Sequence, residues 1–383
     1  MDLMIDARTM GNRPSGIGLY LYSFLKEIAK EKDIKLYLIS DVDVSEEMQD
    51  MKSRGAHVIL YGKKVFRSAG VFGYFRFVRK MAVRYQPDLF MEPNNLMPLP
   101  MTGYKGKTVL VIHDIFPITE PDTYSKLYQL YFRFLIKRSI RRTDLILYNS
   151  DNSRQATEKY FPFAKKVKSL ITYIIVDKKE DFSSSEMPVI FNHPDNHYFL
   201  YLGNLAKRKG TDTLIIGYKK YILAGGKRRL YLAGGINEQD LPSLIEKTNQ
   251  ELKEKTKTEM ITYLGYISNE EKQRYISNCD CFLFPSRAEG FGIPIIEVMN
   301  YYRPVIASDL DIFKEITGDA IRYYKRQPDF EQETAELAAA MLEFDKESPK
   351  SGEVDRKKYK AVIERYSAKA LGKRMIQSLR ELQ

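Results

Sequence analysis

The stretch that decides the fold is FLFPSRAEGFGIPIIEVMNYYRPVIASD, residues Phe282 to Asp309. It opens with an apolar run typical of a buried strand, which Pro285 ends. Gly290 and Gly292 permit a tight turn in which a ligand can approach bare backbone N–H groups. Pro294 suits the first turn of a helix, and a helix N-terminus attracts anions. The stretch therefore predicts a strand, a ligand-binding turn and a helix in direct succession.

Two glutamates, Glu289 and Glu297, lie in this stretch with seven residues between them. A carboxylate repels phosphate, but it readily accepts hydrogen bonds from hydroxyl groups. An anion-binding turn beside two such acceptors indicates a ligand that carries both phosphate and sugar hydroxyls. The alternative is a segment packed for stability alone, with both glutamates in solvent. The coincidence of strand, glycines, proline and carboxylates favours the ligand site.

The segment resembles the donor-site signature of the retaining, two-domain glycosyltransferases of family 4, the large group 1 family of bacterial mannosyl-, glucosyl- and rhamnosyltransferases. Paired glutamates at this spacing are typical of that family. The resemblance implies that Glu297 binds the ribose of a nucleotide sugar and that Glu289 contacts the donor sugar hydroxyls. It further implies that the sugar and diphosphate are bound through the backbone of Gly290, Phe291, Gly292 and Ile293.

Strand-like and helical runs alternate along all 383 residues, which predicts parallel sheets covered by helices on both faces. The length exceeds what one hydrophobic core usually supports, so two domains are expected. A polar, turn-rich stretch around 178–194 marks the predicted boundary. We expect an N-terminal acceptor-side domain over residues 1–180, a C-terminal domain over 195–365 and a final helix within 366–383.

The resemblance implies the GT-B architecture for this α/β chain. In that architecture two Rossmann-like domains face one another across a cleft, the second domain binds the nucleotide sugar, and the C-terminal helix crosses back to the first domain. Six strands are predicted in the first domain and five in the second from their apolar runs.

Two positions in the first domain follow predicted strands, at the carboxyl ends where such sheets bind ligands. Gly16 lies in a glycine-rich loop that lacks a dinucleotide fingerprint and can equally be a plain strand-to-helix turn. His113 follows an apolar strand, and a lone histidine is more often structural than functional. The segment VIHDIFPITEPDTY resembles the family's active-site histidine segment. This implies that His113 orients or polarises sugar hydroxyls and that Gly16 lies near the donor diphosphate.

The loop GNLAKRKG, residues 203–210, places adjacent cations between a predicted strand and a helix. Such cations can bind a diphosphate, although runs of charge are usually solvated. The resemblance implies that Arg208 and Lys209 stabilise the departing nucleoside diphosphate. At Asn204 the sequence departs from the many relatives that carry arginine there. Ile267 matches the loop whose backbone frames the nucleobase in the family.

The net charge of +11 lies mostly in the N-terminal half of the chain. No nucleic-acid-binding motif accompanies it, so nucleic acid is not an expected partner, whereas an anionic membrane surface is. The segment from Phe75 to Tyr85 interleaves aromatic residues with cations and is the predicted membrane contact. Residues 124–142 have a similar composition, for which a buried helix face is at least an equal interpretation.

No apolar stretch reaches the length of a membrane span, and no signal-like segment opens the chain. We therefore expect a cytoplasmic enzyme that is peripheral at the inner face of the cell membrane. The Asp-x-Asp patterns at Asp41 and Asp43 and at Asp309 and Asp311 lack further acidic ligands. We expect neither a metal nor a cofactor, with the nucleoside diphosphate sugar as substrate.

The resemblance implies a retaining hexosyltransferase that moves a hexose from a nucleoside diphosphate sugar to a hydroxyl of a lipid-linked oligosaccharide or polysaccharide precursor. Three alternatives stay open from the residues alone: a sugar-nucleotide epimerase, a phosphorylase on the same scaffold, and an inactive partner subunit of a membrane glycosyltransferase complex.

Overall fold

The computed structural model describes residues 1–12, 14, 16–65, 70–98, 100–176, 197–347 and 354–383. The chain divides into two compact units. Unit 1 contains Met1–Asp177 and Arg365–Gln383, and unit 2 contains Lys178–Glu364. The boundary stretch predicted around 178–194 lies outside the described residues. Residues 365–383, which carry the last helix, thus belong to the same unit as the N-terminus.

Unit 1 is built on a parallel seven-stranded sheet. Its strands are β1 Asp2–Asp6, β2 Lys35–Ser40, β3 His57–Leu60, β4 Leu89–Glu92, β5 Lys107–Ile112, β6 Leu145–Tyr148 and β7 Lys168–Ile171. They are ordered β3-β2-β1-β4-β5-β6-β7. The order therefore reverses between β1 and β4, and such switch points are where open α/β sheets bind ligands, at the carboxyl ends of the strands.

Unit 2 repeats this plan with six parallel strands. They are β8 Tyr198–Leu202, β9 Arg229–Ala233, β10 Ile261–Gly265, β11 Cys281–Phe284, β12 Val305–Ser308 and β13 Arg322–Tyr324. Their order is β10-β9-β8-β11-β12-β13. The switch point of unit 2 consequently lies between β8 and β11.

Helices connect the strands and cover the sheets. In chain order they are α1 Gly16–Ile28, α2 Glu46–Ser53, α3 Val71–Tyr85, α4 Phe116–Thr119, α5 Lys126–Arg141, α6 Asp151–Tyr160, α7 Thr211–Leu223, α8 Leu241–Thr256, α9 Asn269–Asn278, α10 Ile293–Met299, α11 Asp311–Thr317, α12 Phe330–Glu347, α13 Arg356–Arg365 and α14 Ala368–Arg380. Helix α14 packs on α1, where a Cβ at Gly372 would lie 2.9 Å from the Glu27 side chain. That close approach explains a glycine inside a helix.

The core of unit 1 is formed by apolar side chains from the strands and from one face each of α3 and α5. Tyr74 and Val78 of α3 and Ile136 of α5 are fully buried against strand residues such as Phe90 and Leu110. Burial of this apolar surface is the main stabilising contribution, at about 25 cal/mol per Å².

The predicted class, two parallel α/β sheets covered by helices, is confirmed. Two edge strands, β7 and β13, were not predicted. Strand β7 reads KSLI and β13 reads RYY, and neither is fully buried. Edge strands this short, with a cation in the first position, lack the apolar run that identifies a central strand.

Candidate functional site

The two strands that flank the switch point of unit 2 lead into two neighbouring loops. Strand β8 leads into residues 203–210, where Lys207–Lys209 form a 3₁₀ turn, and β11 leads into residues 285–292. Gly210 closes the contact between these loops. It has φ +65°, and a Cβ on it would lie 1.9 Å from the Pro285 carbonyl oxygen. Only glycine allows this conformation and this approach without displacement of the backbone.

Lys209 and Glu289 form an ion pair where the loops meet. Lys209 Nζ lies 2.6 Å from Glu289 Oε1, and only 20% and 8% of the two side chains are exposed. Ser286 Oγ donates to the same Oε1 at 2.8 Å. Within the described part of the chain, no donor reaches Oε2 of Glu289. That oxygen can accept a hydrogen bond from a ligand hydroxyl while Oε1 holds the carboxylate in place.

Arg208 and Arg287 tie the same two loops together. Arg208 Nη1 donates to the Ala288 carbonyl at 2.7 Å, and the Arg287 N–H donates to the Arg208 carbonyl at 2.9 Å. Arg287 Nη1 also donates to the Lys207 carbonyl at 2.7 Å. The basic turn and the glutamate loop are therefore cross-linked by side chains and backbone at several points.

The second loop ends at Gly292, which has φ +110° and precedes the first residue of α10, Ile293. A Cβ on Gly292 would lie 2.9 Å from the Phe313 ring. Glu297 then lies on α10, where its Oε1 accepts from Lys272 Nζ of α9 at 2.7 Å. No donor among the described residues reaches Oε2. Both glutamates thus share one arrangement, in which a lysine holds Oε1 and Oε2 is available.

The remaining predicted positions of unit 2 lie along the same edge of the sheet. The Asn204 carbonyl accepts from Tyr201 Oη at 3.0 Å, while its own side chain is exposed. Ile267 lies between β10 and α9, and the helix begins with a capping box formed by Ser268 and Glu271. Phe291 is buried, so only its backbone can face a ligand.

In unit 1, His113 follows β5 and is buried. Its Nε2 lies 2.8 Å from the Pro93 carbonyl oxygen, which can only accept a hydrogen bond. The proton is therefore assigned to Nε2, and Nδ1 carries the lone pair. The edge of the Tyr20 ring packs against the imidazole, with the centroids 4.8 Å apart. His113 is thus held as a neutral ring whose Nδ1 is a hydrogen-bond acceptor.

Burial lowers the pKa of His113 from 6.5 to about 4. Between these pH values His113 is protonated in the unfolded chain but neutral in the folded chain. The free energy of unfolding therefore falls as the pH is lowered through this range. The full effect is of order 3 kcal/mol. We expect the urea-unfolding free energy of the wild type to fall more steeply than that of His113→Gln as the pH drops from 7 to 4. Parallel curves for the two proteins would contradict the buried neutral state.

Gly16 begins α1, and a Cβ there would meet nothing within 4 Å. The neighbouring glycines differ, since a Cβ on Gly11 would lie 2.2 Å from the Val42 oxygen and one on Gly18 would lie 2.3 Å from the Thr9 oxygen. Packing therefore requires glycine at positions 11 and 18 and does not explain it at 16. A role of Gly16 near the donor diphosphate stays a prediction.

The switch point of unit 1 holds a charged group that the sequence did not single out. Asp6 ends β1, Glu92 ends β4, and Arg8 lies two residues beyond the end of β1. Tyr74 Oη donates to Asp6 Oδ1 at 2.7 Å, and the Arg8 guanidinium lies over the Tyr74 ring at 4.9 Å. Asp6 and Glu92 are each a single polar residue at the end of an apolar strand, which is the signal that could have drawn attention to them.

The exposed apolar side chains of unit 1 concentrate on α5 and at the start of α3. Phe75 and Phe77, in the predicted membrane segment, pack partly into the core. By contrast, Leu127 is 79% exposed, Leu130 68%, Phe134 57% and Phe72 74%. Among the described residues, no helix combines the length and apolar character needed to cross a bilayer.

One aspartate of each Asp-x-Asp pattern accepts hydrogen bonds from backbone N–H groups. Asp41 accepts from the backbone N–H groups of Val42 and Val65, and Asp309 accepts from the N–H of Arg326. In the part of the chain that the structure describes, no three His, Cys, Asp or Glu side chains cluster as metal ligands.

Comparison with known proteins identifies the family. Residues 184–358 match the family model of the group 1 glycosyl transferases. The chain is 25% identical over 327 residues to the O-antigen chain mannosyltransferase RfbU of Salmonella typhimurium, an alignment that covers 84% of this chain and 86% of that protein. The chain is a glycosyltransferase, and its residues 184–358 match the group 1 family.

Other relatives of this glycosyltransferase share most of its length. O-antigen chain mannosyltransferase B of Escherichia coli is 26% identical, with 80% of this chain and 82% of that protein covered. A Campylobacter jejuni relative is 26% identical, with 67% of each chain covered. It is named N-acetylgalactosamine-N,N'-diacetylbacillosaminyl-diphospho-undecaprenol 4-alpha-N-acetylgalactosaminyltransferase.

Solved structures confirm the fold of the glycosyltransferase. HepE of Anabaena, in complex with UDP and glucose, is similar with a TM-score of 0.75 and 18% identity, and each chain is covered completely. Sucrose-phosphate synthase from Thermosynechococcus elongatus has a TM-score of 0.77 and 16% identity, with 100% of this chain and 99% of that chain covered. The GT-B fold class predicted from the sequence is therefore confirmed.

Proposed function

We propose that this glycosyltransferase moves a hexose, with retention of anomeric configuration, from a nucleoside diphosphate sugar to a hydroxyl of a lipid-linked saccharide precursor. The observation that carries the proposal is the largely buried Lys209–Glu289 pair at the switch point of unit 2. It places a cation for a diphosphate and an acceptor for sugar hydroxyls side by side. A nucleotide sugar carries a diphosphate directly beside sugar hydroxyls and so matches both.

In the proposed reaction the bond between the anomeric carbon and the diphosphate oxygen breaks, and the acceptor hydroxyl forms its bond to that carbon from the same face. The proton of the hydroxyl passes to the leaving diphosphate oxygen. Arg208 and Lys209 stabilise the negative charge that develops on the leaving diphosphate, as preorganised cations do in a water-poor site. Glu289 Oε2 accepts from the hydroxyls of the transferred sugar, and Glu297 Oε2 accepts from the ribose. In unit 1, the neutral Nδ1 of His113 is available to accept a hydrogen bond from a sugar hydroxyl. The positive charges of Arg208 and Lys209 neutralise the diphosphate, which is the task that a metal ion would otherwise perform.

The relatives support the choice of acceptor class. Two of them are named as O-antigen chain mannosyltransferases, and a third is named for transfer to a saccharide on diphospho-undecaprenol. We infer that this enzyme acts in the synthesis of a cell-envelope polysaccharide, on the cytoplasmic side of the membrane.

The donor proposal is tested by thermal unfolding of the purified chain with UDP, GDP and dTDP and with their sugar conjugates. One nucleotide is expected to raise the midpoint, and its sugar conjugate is expected to be slowly hydrolysed. A ligand at one hundred times its Kd stabilises the folded state by about 2.7 kcal/mol. No shift with any nucleotide, together with release of a sugar phosphate from an oligosaccharide and inorganic phosphate, would instead identify a phosphorylase.

We further propose that unit 1 docks on an anionic membrane through the outer face of α5, together with Phe72 of α3. The three apolar side chains of α5, Leu127, Leu130 and Phe134, are spaced so that they share one helix face. Exposed cations of the same helix surround that face: Lys126, Arg133, Lys137, Arg138 and Arg141. An apolar stripe flanked by cations is the pattern of a helix that lies in a membrane interface.

Replacing Leu127, Leu130 and Phe134 together by serine is expected to weaken binding to anionic vesicles at least about tenfold, because each side chain loses its apolar contact with lipid. The matched control changes Val44, Leu60 and Leu223, which are also exposed, to serine. Vesicle co-sedimentation at two salt concentrations measures both proteins. Equal binding by the two variants would exclude the α5 face as the membrane contact. Binding that does not change with salt concentration would exclude attraction to an anionic surface.

A further inference from the structure

Arg8 is the one cation at the switch point of unit 1 among the residues described there, and its side chain is not used by the fold as a donor. Its backbone N–H donates to Asp6 Oδ1 at 3.1 Å. The guanidinium, by contrast, has no hydrogen-bond or ion-pair partner within the described residues. A guanidinium presents five N–H donors in a planar fork that matches a phosphate or carboxylate. Arg8 therefore offers donors at the edge where α/β sheets bind ligands.

Aromatic rings hold the Arg8 side chain in place. Its Cζ atom lies 4.9 Å from the centroid of Tyr74 and 5.9 Å from that of Phe75. Both rings belong to α3, so the guanidinium is stacked against this helix beside the edge of the sheet. A stacked and half-buried arginine loses less freedom when it binds an anion than a free surface side chain does.

The carboxyl groups beside Arg8 do not cancel its charge completely. Asp6 and Glu92 end neighbouring strands and both are buried. Burial, reinforced by the charge of Asp6, raises the pKa of Glu92 well above its usual range. Oε2 of Glu92 has no hydrogen-bond partner among the described residues. The raised pKa of Glu92 reduces the negative charge of the pair, which leaves Arg8 with charge for a ligand.

The exposed apolar surface of α5 adjoins Arg8 through aromatic side chains. Burial raises the pKa of Tyr131, and the nearby charge of Arg8 partly offsets this rise. The Tyr131 ring contacts Phe72 at 6.4 Å and Tyr128 at 6.2 Å between centroids. Leu127, Leu130 and Phe134 continue this surface along α5. An anion site and an apolar surface are therefore continuous on unit 1.

We propose that Arg8 binds the phosphate or diphosphate of a lipid-linked acceptor, with the hydrocarbon chain of that lipid along the outer face of α5. The ligand class is an amphiphile in which a phosphate ester is attached directly to an apolar chain. This inference rests on the proposed transfer to a lipid-linked precursor, and it gives unit 1 a ligand site of its own. The site recognises the carrier, whereas the reacting hydroxyl belongs to the saccharide attached to it.

The test measures binding of the full chain to phosphatidylcholine vesicles that contain a polyprenyl phosphate. Comparison vesicles contain the uncharged polyprenol, or phosphatidylglycerol at equal surface charge. We expect the polyprenyl phosphate vesicles to be bound most tightly. Arg8→Gln should lower that affinity about tenfold, because a charge-assisted bidentate contact is lost. Arg8→Lys should keep only part of the affinity, since lysine has no planar fork.

The matched control is Arg229→Gln, which removes the same charge from an exposed position of unit 2. It should bind all three vesicles as the wild type does. Leu130→Ser removes an exposed side chain without disturbing the core, and it should weaken binding even if Arg8→Gln folds poorly. Inorganic pyrophosphate at moderate concentration should compete poorly, because it lacks the apolar chain.

Equal affinity of the wild type and Arg8→Gln for polyprenyl phosphate vesicles overturns the proposal, as does full competition by pyrophosphate. Equal affinity of the wild type for phosphatidylglycerol vesicles also overturns it, because the recognition would then be of surface charge alone. Thermal shift with nucleotides is measured on the same variants. A normal nucleotide shift with failed lipid discrimination rejects the Arg8 site and leaves the proposed transfer intact, whereas loss of the nucleotide shift in the wild type rejects the transfer.

Discussion

Lys209→Met is expected to lower kcat for sugar transfer by a factor of about 100 to 1000, the size of effect seen when a preorganised charge is removed from a developing anion. Methionine keeps the apolar length of the side chain but cannot neutralise a leaving diphosphate. The donor Kd should change less than kcat, because the negative charge grows in the transition state. Steady-state kinetics with the donor identified by thermal shift measure both quantities.

Lys207→Met is the matched control for this substitution. Lys207 lies on the same 3₁₀ turn, but its side chain is half-exposed and pairs with Asp240 at the surface. Its replacement should change kcat less than about twofold, as expected for a surface ion pair. Comparable losses in the two variants would mean that the turn acts through its overall charge and not through Lys209.

A double-mutant cycle separates the two roles that Lys209 can have. If Lys209 only holds Glu289, then Lys209→Met combined with Glu289→Gln should be no worse than Glu289→Gln alone. If it also acts on the diphosphate, the double variant should lose further activity. We expect the further loss. Ser286 also donates to Glu289 Oε1, so the position of that carboxylate does not depend on Lys209 alone, and the main role of Lys209 is on the diphosphate.

Gly210→Ala is expected to destabilise unit 2 by roughly 2 to 5 kcal/mol, the sum of a left-handed conformation for alanine and a forced displacement of packed backbone. The Cβ would lie 1.9 Å from the Pro285 oxygen, so the two donor-site loops must separate. Sugar transfer should fall at least about tenfold at temperatures where the chain is still folded, since small displacements of catalytic groups have large effects. Urea unfolding and kinetics measure the two effects.

Gly225→Ala is the control at the other end of α7. Gly225 also has positive φ, at +104°, but a Cβ there would meet nothing within 4 Å. Only the conformational part of the cost should remain, about 1 to 2 kcal/mol, with transfer unchanged. A Gly210→Ala enzyme as active and stable as Gly225→Ala would show that the loops can separate without loss.

The two parallel sheets and the ends of their central strands could be predicted from the sequence, because apolar runs such as Leu145–Tyr148 are bounded by polar residues. The contacts between strand ends could not. Lys209 and Glu289 are 80 residues apart, and the periodicity of each run contains no information about the other. Their closeness follows from the strand order, which places β8 beside β11. The resemblance named both residues, but it did not predict their ion pair.

Helix α5 shows a different limit of sequence analysis. It has apolar residues on two faces, of which Phe132, Ile136 and Ile140 are buried while Leu127, Leu130 and Phe134 are exposed. The two faces have a similar apolar composition, so the sequence could not indicate which of them packs against the core. For the same reason the sequence favours α3, with its regularly spaced basic residues, as the membrane contact. Lys272 was missed because it belongs to a helix whose only sequence signal was its capping box.

The bonds between residues 203–210 and residues 285–292 have a consequence for attempts to change the donor. Arg208, Arg287, Lys209 and the Gly210 backbone join the two loops so closely that neither can be exchanged without its partner. A chimera that receives only one loop from a relative with another sugar would inherit mismatched side chains and lose function. Transplanting both segments as one cassette is the route by which donor preference could be re-engineered, and the same coupling would make single substitutions in natural lineages appear as correlated pairs.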